Sequence, residues 1–212
     1  MPSLLCYGDS NTWGSATVTR PDGRYGPAER WPGIVRAALG PAWLVTEEGL
    51  GGRTTVSDDP VEGAEKNGLA YLLPCLLSHK PLDVIVIMLG TNDLKARFNK
   101  SPWEVAAGMA KLVELAKQPQ FGRAGKPAEI LVVSPPPFLP LTEAHAEMFA
   151  GAVEKSPHLA AEFRKVAATA GLRFFDAGSV IRSSKVDGFH LDPDAHAALG
   201  KAIAAEVTRI AL

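Results

Sequence analysis

Residues 84–93 read VIVIMLGTND. The first six of them are all apolar, which is typical of a strand covered on both faces by other elements of a parallel sheet. Four more apolar runs of strand length occur along the chain, at Leu4–Tyr7, Trp43–Glu47, Ile130–Val133 and Arg173–Phe175. The sequence therefore predicts a sheet of five parallel strands.

Helical patterns separate these strands. Ser101-Pro102-Trp103-Glu104 is typical of a capping box, in which Ser101 caps a helix and Glu104 reaches back to it. Asp192-Pro193 opens the last helix, whose apolar residues recur at helical spacing: Leu199, Ile203, Val207 and Ile210. Alternating strands and helices predict an α/β fold, here a flavodoxin-like three-layer sandwich with helices on both faces of the sheet. No linker or repeat divides the chain, so we expect a single domain over residues 1–212.

The composition is that of an ordinary globular protein, with 46% hydrophobic residues, 21% charged residues and a net charge of −1. A charge this close to zero gives no electrostatic basis for nucleic acid or an anionic membrane as a partner. No apolar run has the length of a membrane span, and the first residues lack the basic start of a secretory leader. Cys6 and Cys75 do not have the spacing of a metal site. We expect both thiols to be reduced and the protein to be cytoplasmic.

Polar residues follow three of the predicted strands, and in a parallel sheet the chemistry lies beyond the carboxyl ends of the strands. Ser10 follows the first strand within Gly-Asp-Ser-Asn, where its hydroxyl can project into the crevice. A glycine-rich loop over residues 48–55 follows the second strand, and Asn92 follows the third with an amide donor. Taken singly, each of these residues is also common in an ordinary turn. Residues 8–14 match neither a dinucleotide or phosphate loop nor the Gly-x-Ser-x-Gly elbow.

Asp187 lies three residues before His190, ahead of the last helix. This spacing lets the carboxylate accept a bond from Nδ1–H of His190 and leaves Nε2 free to take a proton from a serine. The other histidines have no aspartate placed in this way, and we interpret them as non-catalytic: His79, His145, His158 and His196. The sequence thus predicts a catalytic triad of Ser10, His190 and Asp187.

Together these blocks resemble the SGNH (GDSL) hydrolase superfamily, which is named for a serine, a glycine, an asparagine and a histidine in four separate blocks. Ser10, Gly52, Asn92 and His190 stand in the matching positions, and Asp187 completes the last block. Gly51 lies beside Gly52 and could be confused with it. Longer stretches look like bacterial arylesterases, acyltransferases and carbohydrate acetylesterases: residues 47–50, 53–55, 89–95, 133–137 and 174–179.

The resemblance implies a serine esterase that acts on short acyl groups, carried by an acetylated sugar or by an aryl or alkyl ester. The oxyanion would be held by the backbone N–H groups of Ser10 and Gly52 and by the side-chain amide of Asn92. Hydrolysis and acyl transfer to an alcohol would share one acyl-serine, and no metal or cofactor would be needed. We also expect four residues to contact the substrate: Asn11, Trp13, Phe138 and Phe189.

Residues 134–157 form a long, proline-rich and apolar connection after the fourth strand. Its apolar side chains exceed what a solvated loop normally exposes: Phe138, Leu139, Leu141, Met148 and Phe149. We therefore expect this segment to lie at an interface of a homo-oligomer, and the resemblance suggests an octamer as one such assembly. The alternative is that the segment folds back over its own active site.

Two other functions fit part of the pattern. A metal-dependent phosphoesterase would use carboxylates and an imidazole near the crevice as ligands: Asp9, Asp93, Asp187 and His190. A binding module would keep the fold without catalysis, although the complete triad argues against this reading.

Overall fold

Five parallel strands form one sheet in the computed structural model, which describes residues 1–211. They are β1 (Ser3–Gly8), β2 (Leu44–Gly49), β3 (Val84–Met88), β4 (Glu129–Ser134) and β5 (Arg173–Asp176). Their order across the sheet is β2-β1-β3-β4-β5, and every neighbouring pair is parallel. The predicted parallel sheet of five strands is confirmed, with strand ends within a residue or two of those expected.

Eight α-helices occur in the described residues. They are α1 (Ser10–Trp13), α2 (Trp31–Leu39), α3 (Gly68–His79), α4 (Pro102–Ala116), α5 (Glu143–Ala146), α6 (Ala152–Lys155), α7 (Leu159–Ala170) and α8 (Pro193–Ala211). Short 3₁₀ turns lie at several loop positions, including Asn92–Leu94 directly after β3. Within residues 1–211, no helix combines the length and apolarity needed to cross a bilayer.

Successive strand residues point to opposite faces of the sheet, and each face has its own core. One core contains apolar residues of α3, α4 and α7. Its strand side chains are Leu5, Tyr7, Ile85, Ile87, Ile130 and Val132. The other core contains residues of α2 and α8. Its strand side chains alternate with those of the first core: Leu4, Cys6, Val84, Val86, Leu131 and Val133. Helices therefore cover both faces, which confirms the three-layer α/β sandwich.

The capping box predicted for α4 is present. The hydroxyl of Ser101 accepts from the backbone N–H of Glu104 at 3.3 Å, and the Glu104 carboxylate accepts from the N–H of Ser101 at 2.7 Å. In the last helix, Leu199, Ile203 and Val207 are buried in the second core as the spacing predicted. These local signals fix where α4 and α8 begin and which side each helix presents to the sheet.

The long segment 134–157 folds back onto its own chain. Phe138 is 6% exposed and Phe149 is 1% exposed, and their ring centroids lie 5.1 Å apart in edge-to-face contact. The backbone N–H of Phe138 donates to Oγ of Ser156 at 2.8 Å, which holds the segment in place. The expectation that Phe138 and Phe149 form an outward contact surface is therefore wrong, because each ring is enclosed by the same chain. Met148 alone of the five apolar residues stays largely exposed.

Candidate active site

The serine at the end of β1 begins a helix of one turn. The carboxylate of Asp9 caps this helix by accepting from the N–H of Asn11 at 2.9 Å, and Gly14, at φ 91°, ends it. A Cβ at position 8 would lie 2.0 Å from Oγ1 of Thr12 and 2.7 Å from the carbonyl oxygen of Met88, so only glycine allows the turn to pack so closely against β3. The result is a nucleophile candidate, Ser10, fixed at the carboxyl edge of the sheet.

Ser10, His190 and Asp187 form a continuous hydrogen-bonded chain. Oγ of Ser10 lies 3.0 Å from Nε2 of His190, and Nδ1 of the same ring lies 2.7 Å from Oδ2 of Asp187. The other carboxylate oxygen, Oδ1, accepts from the backbone N–H groups of Phe189 and His190, each at 3.0 Å. The carboxylate is thus held by groups that also fix the direction of the imidazole.

Opposing effects act on the pKa of Asp187. Burial alone would raise this pKa, but the hydrogen bond from the His190 side chain, its charge, and the two backbone N–H groups together lower the pKa below its ordinary value. Asp187 is therefore ionised at neutral pH and can stabilise an imidazolium at position 190.

Two glycines follow β2, and the structure distinguishes them. Gly52 has a φ of 80°, and a Cβ built there would lie 2.3 Å from a carboxylate oxygen of Glu62. Gly51 has open space around the same position. The positive φ favours glycine at position 52, whereas the flexible end of Glu62 could move away from a Cβ, and the backbone angle agrees with Gly52 as the residue of the glycine block.

Three N–H groups that follow β1, β2 and β3 each have a hydrogen without a protein acceptor among the described residues. Among residues 1–211, the backbone N–H groups of Ser10 and Gly52 have no protein acceptor. The third donor is the amide of Asn92, which is buried at the end of β3 and donates one hydrogen from Nδ2 to the carbonyl of Arg53 at 3.1 Å. That bond fixes the orientation of the amide and leaves its second N–H for a ligand.

Sequence reasoning missed the role of Arg53. Its side chain is 2% exposed, and its guanidinium carbon lies 4.4 Å and 5.1 Å from the ring centroids of Tyr7 and Tyr71. Nη1 donates to the carbonyl of Gly8 at 2.9 Å and to that of Glu48 at 2.5 Å. Arg53 thus joins the carboxyl ends of β1 and β2. No pattern could identify it beforehand, because its partners are backbone carbonyls on two separate strands.

A second set of buried charges joins the glycine loop to the loop after β3. The carboxylate of Asp93 accepts from the N–H of Thr55 at 2.8 Å, from its hydroxyl at 2.6 Å and from Nζ of Lys100 at 2.8 Å. Behind Gly52, Lys95 is paired with Glu62. These contacts hold the two loops that carry Gly52 and Asn92 in one arrangement.

The structure argues against a metal site of the kind that a phosphoesterase would need. Within residues 1–211, Asp9, Asp93, Asp187 and His190 do not form a group whose ligand atoms are close enough to share an ion. Asp93 is fully engaged by Thr55 and Lys100. Burial raises the pKa of Asp9 to about 6, a shift partly offset by the N–H of Asn11 and the charge of His190.

Three of the four predicted substrate contacts have structural roles in this chain. Asn11 is 1% exposed, and its amide donates to the carbonyl of Phe189 at 3.1 Å. Instead of the predicted contact with substrate, Asn11 links the turn that carries Ser10 to the loop that carries His190. Phe138 and Phe189 are buried, with ring centroids 5.7 Å apart, and the Phe189 ring lies 4.2 Å from that of His190. The Phe189 ring therefore backs the imidazole, and the Phe138 ring packs against Phe189. Trp13 is the one member that is half-exposed, with Arg24 stacked on its ring.

The other histidines lie outside the triad. His196 is buried, its Nδ1 accepts from the N–H of Trp31 at 3.2 Å, and burial lowers its pKa to about 4. His145 pairs with the hydroxyl of Thr142. The single imidazole in contact with Ser10 is that of His190.

Comparison with known proteins places these features in a family. Residues 6–198 match the GDSL-like Lipase/Acylhydrolase family. Two solved structures match 99% of this chain and 100% of their own chains. They are an aryl esterase from M. smegmatis, at 40% identity and a TM-score of 0.93, and Est24, a carbohydrate acetylesterase from Sinorhizobium meliloti, at 41% identity and a TM-score of 0.92. A putative arylesterase from Agrobacterium tumefaciens has 40% identity over the same shares, with a TM-score of 0.89. No match was found among curated protein sequences.

The sequence match spans most of the chain, and the structural likeness extends over nearly all of it. The serine, glycine, asparagine and histidine blocks converge at one edge of the sheet, as the resemblance implied. The chain therefore belongs to the GDSL-like lipase/acylhydrolase family, a family of carboxylic ester hydrolases.

Proposed function

We propose that this protein is a serine esterase that hydrolyses short-acyl carboxylic esters through an acyl-serine intermediate, and that it can pass the acyl group to alcohols. The observation that carries the proposal is the hydrogen-bonded chain from Oγ of Ser10 through His190 to Asp187, with bonds of 3.0 Å and 2.7 Å. A serine hydroxyl is a weak nucleophile unless an adjacent base removes its proton, and this geometry supplies that base.

In the first step, Oγ of Ser10 bonds to the ester carbonyl carbon while its proton moves to Nε2 of His190. The carbonyl oxygen becomes an oxyanion that the N–H groups of Ser10 and Gly52 and the amide of Asn92 can hold. Each such donor contributes about 3 kcal/mol to the transition state. The imidazolium, stabilised by ionised Asp187, then returns the proton to the departing alcohol, and the acyl group stays on Oγ.

In the second step, water attacks the acyl-serine while His190 takes its proton. Collapse of the second oxyanion releases the carboxylic acid and returns the proton to Ser10. An alcohol that takes the place of the water gives a new ester instead. Hydrolysis and transfer thus use the same residues and differ only in the acceptor.

Two observations support a small acyl group. The nucleophile is only 6% exposed, and the loop that carries its base is packed against the rings of Phe138 and Phe149. The similar proteins are an aryl esterase and a carbohydrate acetylesterase, so an aryl ester or an acetylated sugar is the substrate class that we propose.

We also propose a cytoplasmic location. Cys6 and Cys75 are free and buried, which suits a protein that works in a reducing compartment.

The test is replacement of the nucleophile. Ser10→Ala removes the attacking oxygen and should lower kcat for an aryl acetate by ~10⁶-fold. Ser3→Ala is the matched control, because Ser3 is also buried but lies at the opposite end of β1, where its hydroxyl donates to Pro81. It should keep normal activity. A serine-directed phosphonate should label Ser10 in the control and label nothing in Ser10→Ala. Near-normal turnover by folded Ser10→Ala protein would end the proposal.

A further inference from the structure

A second group of reactive side chains lies on the other side of β2 from the nucleophile turn. Glu48 is near the end of β2, and Cys75 and His79 lie one turn apart on the same face of α3. A carboxylate oxygen, Sγ and a ring nitrogen from these three residues all lie within 4.8 Å of one another. We propose that Glu48, Cys75 and His79 bind a zinc ion. This inference does not depend on the proposed esterase function.

The spacing of the three atoms suits a tetrahedral ion. Zinc bonds of ~2.0 Å to nitrogen or oxygen and ~2.3 Å to sulfur place neighbouring ligand atoms about 3.3–3.5 Å apart in a tetrahedral site with one sulfur. Nε2 of His79 already lies 2.9 Å from Oε1 of Glu48, and Sγ of Cys75 is within reach of both. Side-chain adjustments of an ångström or less therefore complete three corners of a tetrahedron.

The ligand chemistry favours zinc over harder ions. A thiolate and an imidazole are the ligands that zinc prefers, whereas calcium and magnesium take sets composed of oxygen atoms. One thiolate and one carboxylate would balance the charge of a divalent ion. On binding, the thiol proton of Cys75 leaves to solvent, and the ring proton that His79 shares with Glu48 moves to Nδ1. Three protein ligands leave a fourth position for water.

The surroundings orient the carboxylate and leave a path to solvent. The hydroxyl of Tyr71, one turn before Cys75 on α3, donates to Oε2 of Glu48 at 3.3 Å, which leaves Oε1 for the ion. Partners of this kind fix the direction of a ligand. Cys75 is 1% exposed, but the side chains of Glu48 and His79 are 20% and 30% exposed. An ion can therefore enter past the imidazole while the thiol stays shielded. Arg53, whose guanidinium lies over the Tyr71 ring, has Nη1 committed to two backbone carbonyls.

The experiment is a titration of the metal-free full chain with Co²⁺, a spectroscopic substitute for zinc. We expect one equivalent to produce a thiolate-to-cobalt charge-transfer band and the strong visible bands of tetrahedral cobalt. Zn²⁺ should displace the cobalt and raise the Tm, because it binds only the folded state. His79→Gln should weaken cobalt binding by ~100-fold or more. His158→Gln is the matched control, since His158 is exposed and away from the cluster, and it should bind as the parent does.

Cys75→Ala tests whether Cys75 or Cys6 is the source of the charge-transfer band. It should lose the charge-transfer band although Cys6 remains. If that variant fails to fold, Glu48→Gln and His79→Gln decide the matter, because both positions are half-exposed. The proposal is overturned if the parent protein shows no charge-transfer band, if the band survives in Cys75→Ala, or if His79→Gln and His158→Gln bind cobalt equally.

Discussion

Asn92→Ala tests whether the side-chain amide at the end of β3 stabilises the oxyanion. The substitution removes both N–H groups of Nδ2, one of which donates to the Arg53 carbonyl while the other is free for the ligand. Loss of one oxyanion donor costs about 2.7–4 kcal/mol, a decrease of ~10²–10³-fold in kcat. Acylation and deacylation both pass through an oxyanion, so kcat falls whichever step is slower. KM should change little, because the donor acts more strongly on the transition state than on the bound ester.

The same substitution has a separate effect on stability. The carbonyl of Arg53 loses a buried hydrogen bond, which costs about 1 kcal/mol and lowers the Tm of a chain of this size by about 2–4 °C. Ser3→Ala is again the control, because it too removes a side-chain hydrogen bond to a backbone carbonyl but lies at the opposite end of β1 from Ser10. The assay is steady-state hydrolysis of an aryl acetate by both variants, with the Tm measured alongside. If Asn92→Ala keeps kcat within about fivefold of the parent while folded, the oxyanion assignment is wrong.

Three further outcomes are expected. Acetyl esters should have a higher kcat/KM than decanoyl esters of the same alcohol, because Ser10 is only 6% exposed and a long acyl chain would have less room beside it; the reverse order would contradict the proposed acyl preference. The free energy of unfolding of the parent, relative to that of Asp9→Asn, should fall by ~2 kcal/mol between pH 4 and pH 6. Over that range the unfolded Asp9 carboxyl loses its proton, whereas burial, which raises its folded pKa to about 6, keeps the proton on the folded protein. Urea titrations at several pH values measure this difference, and a constant difference would refute the buried-carboxyl explanation. Light scattering at micromolar concentration should give the mass of two or more chains of 22.5 kDa each, and a mass of one chain would contradict the predicted homo-oligomer.

The strands and the triad could be predicted because their signals are local. An unbroken apolar run such as 84–89 has few alternatives to a buried strand. The three-residue spacing of Asp187 and His190 is short enough for their side chains to form a hydrogen bond within one turn. Convergence of Ser10 with His190 then followed from the general geometry of parallel sheets.

What could not be predicted depends on contacts between distant segments. Arg53 binds carbonyls, which carry no residue identity, and Asn11 donates to the backbone of Phe189 across most of the chain. The apolar content of residues 134–157 indicated burial, but not whether this chain or a neighbour provides it. The spacing of the cysteines likewise did not predict that Cys75 lies beside Glu48. These two residues come from different elements, α3 and β2, which only the fold brings together.

The bond from Asn11 to Phe189 spans 178 residues, and that from Ser10 to His190 spans 180. Protein synthesis proceeds from the amino terminus, so the ribosome makes the nucleophile long before its base. A nascent chain that already contains all five strands, which end at Asp176, still lacks the imidazole of His190. The hydrogen-bonded chain from Ser10 to Asp187 therefore cannot form until synthesis has passed all five strands and reached His190.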